Sequence, residues 1–143
     1  MQKVQLLNKT DWYTMSRKSQ MVGSQTIEGA ATAGSDVDWL ILVWSRHYAV
    51  MTAEKAGFQL SSNISINIGP YRASIWETKF HPKFVSLIDS NNTNLIITSS
   101  SKFYHKFAAA NDLAVKLKLT DKNDRIALFQ YILYGNLPEI GTQ

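Results

Sequence analysis

Trp39-Leu40-Ile41-Leu42-Val43-Trp44 is an unbroken apolar run. It does not alternate with polar residues, so it predicts a strand over 37–44 buried on both faces, in the centre of a sheet. Upstream, Met21-Val22 reads as the end of another strand, cut off by Gly23. Residues 25–35 are rich in Gly, Ala, Ser and Thr and read as a loop with room for one helical turn. Residues 46–56 predict a helix closed by Gly57, and residues 8–18 a short helix before the first strand. Residues 58–68 suit either state, Gly69-Pro70 breaks the chain, and 72–79 predict a further strand.

The stretch FVSLIDSNNTNLIITSS, 84–100, reads as a β-hairpin with arms at 84–88 and 94–98 and a polar turn at 89–93. A serine at 99–101 is placed to cap the next helix, about 101–118. That helix carries Phe103, Phe107, Ala110, Ala114 and Leu117 at helical spacing. Thr120 or Asp121 caps a last helix, 121–134, with Ile126, Phe129, Ile132 and Leu133 on its inner side. Gly135 ends it and Pro138 prevents a restart. The pattern predicts an α+β fold: one domain over 1–143, with a small mixed β-sheet and helices packed on one side.

Composition narrows this reading without changing it. A chain of 143 residues, 45 % apolar and 18 % charged, has the makeup of one globular domain. No stretch approaches the about 18 uncharged apolar residues of a membrane span, and the N-terminus lacks the pattern of a signal peptide. With no cysteine, disulfides, thiolate–zinc sites and thiol catalysis are excluded. These features set the expectation of a cytoplasmic protein without a membrane partner. The net charge of +4 permits an anionic ligand. His47, His81 and His105 share no metal-ligand spacing, Lys102, His105 and Lys106 read as a solvated helix face, and Trp39 and Trp44 read as core.

The candidate chemistry lies at the start of the apolar run. Asp36 and Asp38 are two apart, so in an extended chain they point to the same side. Two carboxylates held close repel by on the order of 4 kcal/mol at 4 Å and an intermediate dielectric. No Lys or Arg stands between 19 and 45 to relieve this. Mg²⁺ would, because it takes oxygen ligands and is commonly held by one or two carboxylates together with substrate phosphates. Gly23 permits close backbone approach to a ligand, and Ser24 adds a hydroxyl beside N–H groups that can cradle an anion. A phosphate cradle followed by a carboxylate pair is the layout for a metal–nucleoside triphosphate.

The segment VGSQTIEGAATAGSDVDWLIL resembles the signature of the DNA polymerase β-like nucleotidyltransferase superfamily, especially its minimal members. That signature is Gly-Ser, about ten residues rich in Gly and Ala, and Asp-x-Asp opening a hydrophobic strand. LTDKNDRIALFQYILYGN (119–136) and NLIITSSSKFYHKF (94–107) are similar to small nucleotidyltransferase-like proteins of tailed bacteriophages. The resemblance implies the small α/β palm of the nucleotidyltransferase fold. It implies that Gly23 and Ser24, with Gly34 and Ser35, bind the nucleotide, and that Asp36 and Asp38 are catalytic and hold Mg²⁺ or Mn²⁺. The implied reaction is attack of a hydroxyl on the α-phosphorus of an NTP, with ATP the expected nucleotide. The acceptor would be a protein, an RNA or a small molecule, in the host cytoplasm if the chain is phage-encoded.

The sequence departs from the family at one place. Active members carry a third carboxylate opening an apolar run on a neighbouring strand; the matching run here is TNLII, which puts Asn94 in that place. Asn is neutral and a poorer ligand, so the metal that activates the attacking hydroxyl would be weakened. Glu77, on the strand predicted at 72–79, is the candidate substitute; Asp89, in the hairpin turn, is the more distant one. The departure keeps open a second reading, a catalytically weak nucleotide-binding or host-interaction protein.

Overall fold

The computed structural model describes residues 16–60 and 84–134. The strand predicted at 72–79, Glu77 with it, the breaker at 69–70, His81, most of the helix predicted at 8–18 and the stop at Gly135 and Pro138 lie outside them. Of the predicted helix, residues 16–18 belong instead to the first strand.

Among the described residues five strands form one mixed sheet: β1 (Ser16–Val22), β2 (Val37–Val43), β3 (Gln59–Leu60), β4 (Val85–Ile88) and β5 (Thr93–Thr98). Their order across the sheet is β1-β2-β5-β4-β3. β2 runs parallel to β5 and antiparallel to β1, and β4 is antiparallel to β5 and β3. β2 therefore lies inside the sheet, as its continuous apolar run predicts. The predicted hairpin is β4–β5. Its turn is tied by Asp89, whose Oδ1 accepts from the Asn91 amide at 3.0 Å and the Thr93 amide at 2.8 Å. Asn92 there takes a left-handed φ of 60°, which Asn tolerates better than most residues.

Among the described residues three helices pack on the sheet or on one another: α1 (Arg46–Lys55), α2 (Ser101–Lys116) and α3 (Lys122–Tyr134). Ser45 caps α1 and Ser100 caps α2, each through its hydroxyl. Asp121 opens α3, its carboxylate accepting from the Asn123 amide at 2.7 Å.

The α+β class and the mixed sheet are as the pattern predicts, but the helices divide between the two faces. Trp39, Ile41 and Val43 pack with Ala49 and Ala53 of α1, Phe58, Val85, Leu87, Leu95 and Ile97. The alternate residues Leu40 and Leu42 pack with Val22, Phe84, Ile96 and Phe103 and Tyr104 of α2, and Leu133 of α3 leans on this second cluster. The cause is the opening run itself. A strand apolar on both faces exposes one face unless each side is covered.

Trp44 departs from the expectation of a core residue. It lies past the end of β2 and is 69 % exposed. The Arg17 guanidinium stands 4.5 Å from its ring centroid, a cation–π contact. No helix among the described residues is long and apolar enough to cross a membrane.

Candidate functional site

The α2–α3 face of the sheet carries a cavity of about 590 Å³. Gly23, Ser24, Gly34, Ser35, Asp36, Asp38 and Asn94 all line it, so residues spread over 72 positions meet at one place. The meeting follows from register. Asp38 pairs with Val22 on β1 and with Asn94 on β5, and Asn94 with Ile88 on β4. The chain leaves β1 at Gly23 beside Asp38, makes a short 3-10 turn at Ser24–Thr26, and returns through the 25–35 loop to enter β2.

Gly23 has φ 82° and ψ −163°, a region that is essentially glycine's alone. A Cβ there would collide with the Asp38 carboxylate. The glycine thus lets the chain pass directly against the carboxylate. Its amide N–H, expected in the anion cradle, donates instead to Asn111 Oδ1 at 2.9 Å. Ser24, the other half of the predicted Gly-Ser pair, lines the cavity beside it. Ser35 braces its own loop: its Oγ accepts from the Thr32 amide at 2.8 Å.

Asp38 is the most perturbed group of the site. Burial pushes its carboxyl up to about 6; the Asn94 hydrogen bond opposes this, Asp36 adds to it by like-charge repulsion, and Arg125 opposes it. Burial raises Asp36 as well, against the opposing pull of Lys122. Asn94, at the position where the resemblance implies a third carboxylate, stands beside Asp38. Its Nδ2 donates to Asp38 Oδ1 at 3.1 Å, and its Oδ1 accepts from the Ser86 hydroxyl at 2.7 Å. Asp89 remains in the hairpin turn and does not line the cavity. Among the described residues no group of three His, Asp or Glu side chains is placed to hold a metal ion.

Three site residues escaped the sequence reading. Lys122 and Arg125 of α3 line the cavity; their spacing of three puts them on one helix face, and that was the available signal. Arg125 Nη1 also donates to the Leu119 and Thr120 carbonyls at 3.0 and 2.8 Å, which anchors it at the cavity wall. Asn111 of α2 is buried and carries no sequence signal, because its role depends on how α2 lies over the sheet. Phe84, Ile88, Ile96, Phe107, Phe129 and Leu133 add an apolar part to the lining, with Ser86 and Gln130 among them. The Phe107 and Phe129 rings meet edge to face with centroids 4.8 Å apart.

No known family model matches the chain, and no curated protein matches it. Among solved structures, it is similar to that of the conserved protein GrpB from Enterococcus faecalis. The two are 13 % identical, with a TM-score of 0.44, over 87 % of this chain and 80 % of the other. A likeness at this level says nothing of activity.

Proposed function

We propose that the cavity binds a nucleoside triphosphate with a divalent cation, and that the protein transfers an NMP to a hydroxyl acceptor. The observation that carries this reading is the convergence of Asp36 and Asp38 with the Gly23–Ser24 turn, Lys122 and Arg125 on one cavity. Carboxylates, a hydroxyl-bearing residue and cations lining one cavity suit a ligand that brings a metal and phosphates together.

A cation fits the acidic wall. Asp38 is pushed up to about 6, chiefly by burial, with Asp36 adding like-charge repulsion; a bound cation would stabilise both carboxylates in their charged form. Asp36 and Asp38 would hold Mg²⁺ or Mn²⁺ with phosphate oxygens. The bound ion would polarise the α-phosphate and offset charge in the transition state. Lys122 and Arg125 would face the remaining phosphates, and the apolar part of the lining would receive the base or the body of the acceptor. In the transfer, the acceptor oxygen bonds to the α-phosphorus, the bond to the bridging oxygen breaks, pyrophosphate leaves, and the hydroxyl proton goes to solvent. In this reading the chain is a minimal member of the polymerase β-like nucleotidyltransferases, and ATP is the first nucleotide to test.

One observation favours the second reading, nucleotide binding with little or no transfer. Asn94 spends its amide on Asp38 and on Ser86, so the third position offers a hydrogen bond where active relatives would offer a charge. Incubation with α-labelled NTPs, Mg²⁺ or Mn²⁺ and cell lysate, beside the Asp36→Ala/Asp38→Ala double variant, separates the two. Label passed to a protein, RNA or small molecule by the wild type alone supports transfer. Nucleotide binding without label transfer supports the second reading.

A further inference from the structure

Asn111 is 3 % exposed, and both ends of its amide are committed. Its Oδ1 accepts from the Gly23 amide at 2.9 Å, and its Nδ2 donates to Thr26 Oγ1 at 3.1 Å. Thr26 Oγ1 in turn donates to the Gly23 carbonyl at 2.7 Å. One side chain of α2 therefore grips the Gly23–Thr26 turn at both ends, across 88 and 85 positions of sequence. A buried amide left without partners is costly, so this closed ring of three hydrogen bonds defines the turn sharply. The ring also engages the Gly23 N–H, and Ser24, the next residue, lines the cavity.

We propose that Asn111 is a positioning residue for the phosphates of the ligand: through Gly23 and Thr26 it sets where Ser24 stands relative to Asp36 and Asp38. The inference rests on the nucleotide reading of the cavity. It makes α2 part of the binding apparatus without direct contact to the ligand. It also separates two functions within the site. The carboxylates take the cation whether or not the turn is gripped, and the phosphates require the grip.

That separation supplies the test. Mn²⁺ binding is followed by electron paramagnetic resonance, and MgATP binding by calorimetry, on the wild type, Asn111→Ala, Thr26→Val and Thr26→Ser. Loss of a buried hydrogen bond corresponds to roughly a tenfold change in affinity. We therefore expect Asn111→Ala to bind MgATP about tenfold more weakly while its Mn²⁺ affinity stays within about twofold of wild type. Thr26→Val, which leaves Asn111 in place, should weaken MgATP in the same direction, and Thr26→Ser, which keeps the hydroxyl, should restore it. Unchanged MgATP affinity in Asn111→Ala and Thr26→Val overturns the positioning role and leaves the nucleotide reading standing. Parallel loss of Mn²⁺ and MgATP in both variants also overturns it, because the role is then general support of the fold. A wild type that binds no MgATP sinks the nucleotide reading and this inference with it.

Discussion

At the scale of single residues, the close passage of Gly23 against Asp38 ties local conformation to site chemistry. Gly23→Ala would put a methyl group into the Asp38 carboxylate and force alanine into glycine's region of φ and ψ. Such strain costs on the order of 1–3 kcal/mol before the collision is counted, so thermal unfolding should show a clear loss of stability and ligand titration a loss of MgATP binding. Asp38 makes a pH prediction. Its folded carboxyl, near 6, lies above the ordinary 3.8, so the folded chain holds that proton more tightly than the unfolded one. The resulting contribution, about 3 kcal/mol, is fully present below pH ~4 and is lost as the pH rises through ~6. Asp36, raised in the same direction, adds to the trend. In the absence of a divalent cation, unfolding titrations should show this loss, and Asp38→Asn should abolish most of it. Added Mg²⁺ should then raise the melting temperature more at pH 7 than at pH 5. Asn94→Asp tests the third position. It should tighten Mn²⁺ binding and raise label transfer, while destabilising the cation-free protein near neutral pH by setting a charge against Asp38.

Elements show what a sequence discloses by itself. The β2 strand, the Asp89 turn and the serine cap of α2 were all legible in the chain, because each depends on residues within a few positions; the Ser45 cap of α1 is equally local but appears only in the structure. The split of the helices over two faces was not read, although Leu40 and Ile41 together imply it: both are buried, on opposite faces. Asn111 was not legible at all, since its partner Gly23 is 88 positions away. The end of α2 carries a local prediction. Lys118 has φ 52°, where its amide bonds to the Val115 carbonyl and the Leu119 amide to the Ala114 carbonyl. That is a Schellman stop with lysine in the place glycine favours. Lys118→Gly should stabilise the protein by about 0.5–1 kcal/mol in denaturant unfolding, with no change in ligand affinity.

For the whole molecule, the sheet and helices define a single arrangement around the cavity. β1, β2 and β5 set the register of Gly23, Asp38 and Asn94, α2 secures the turn through Asn111, and α3 brings Lys122 and Arg125 to the same cavity. The carboxylate pair was legible because Asp-x-Asp before an apolar strand is a local pattern. The cationic wall was missed because it joins the site only when α3 folds back over the sheet. The central claim is that these parts form one metal–nucleotide site, and calorimetric titration of ATP in the presence and absence of Mg²⁺ tests it most directly. The account predicts saturable binding by the wild type that needs Mg²⁺ and is lost in Asp36→Ala/Asp38→Ala. Absence of nucleotide binding by the wild type, or binding indifferent both to Mg²⁺ and to the loss of the two aspartates, would contradict it.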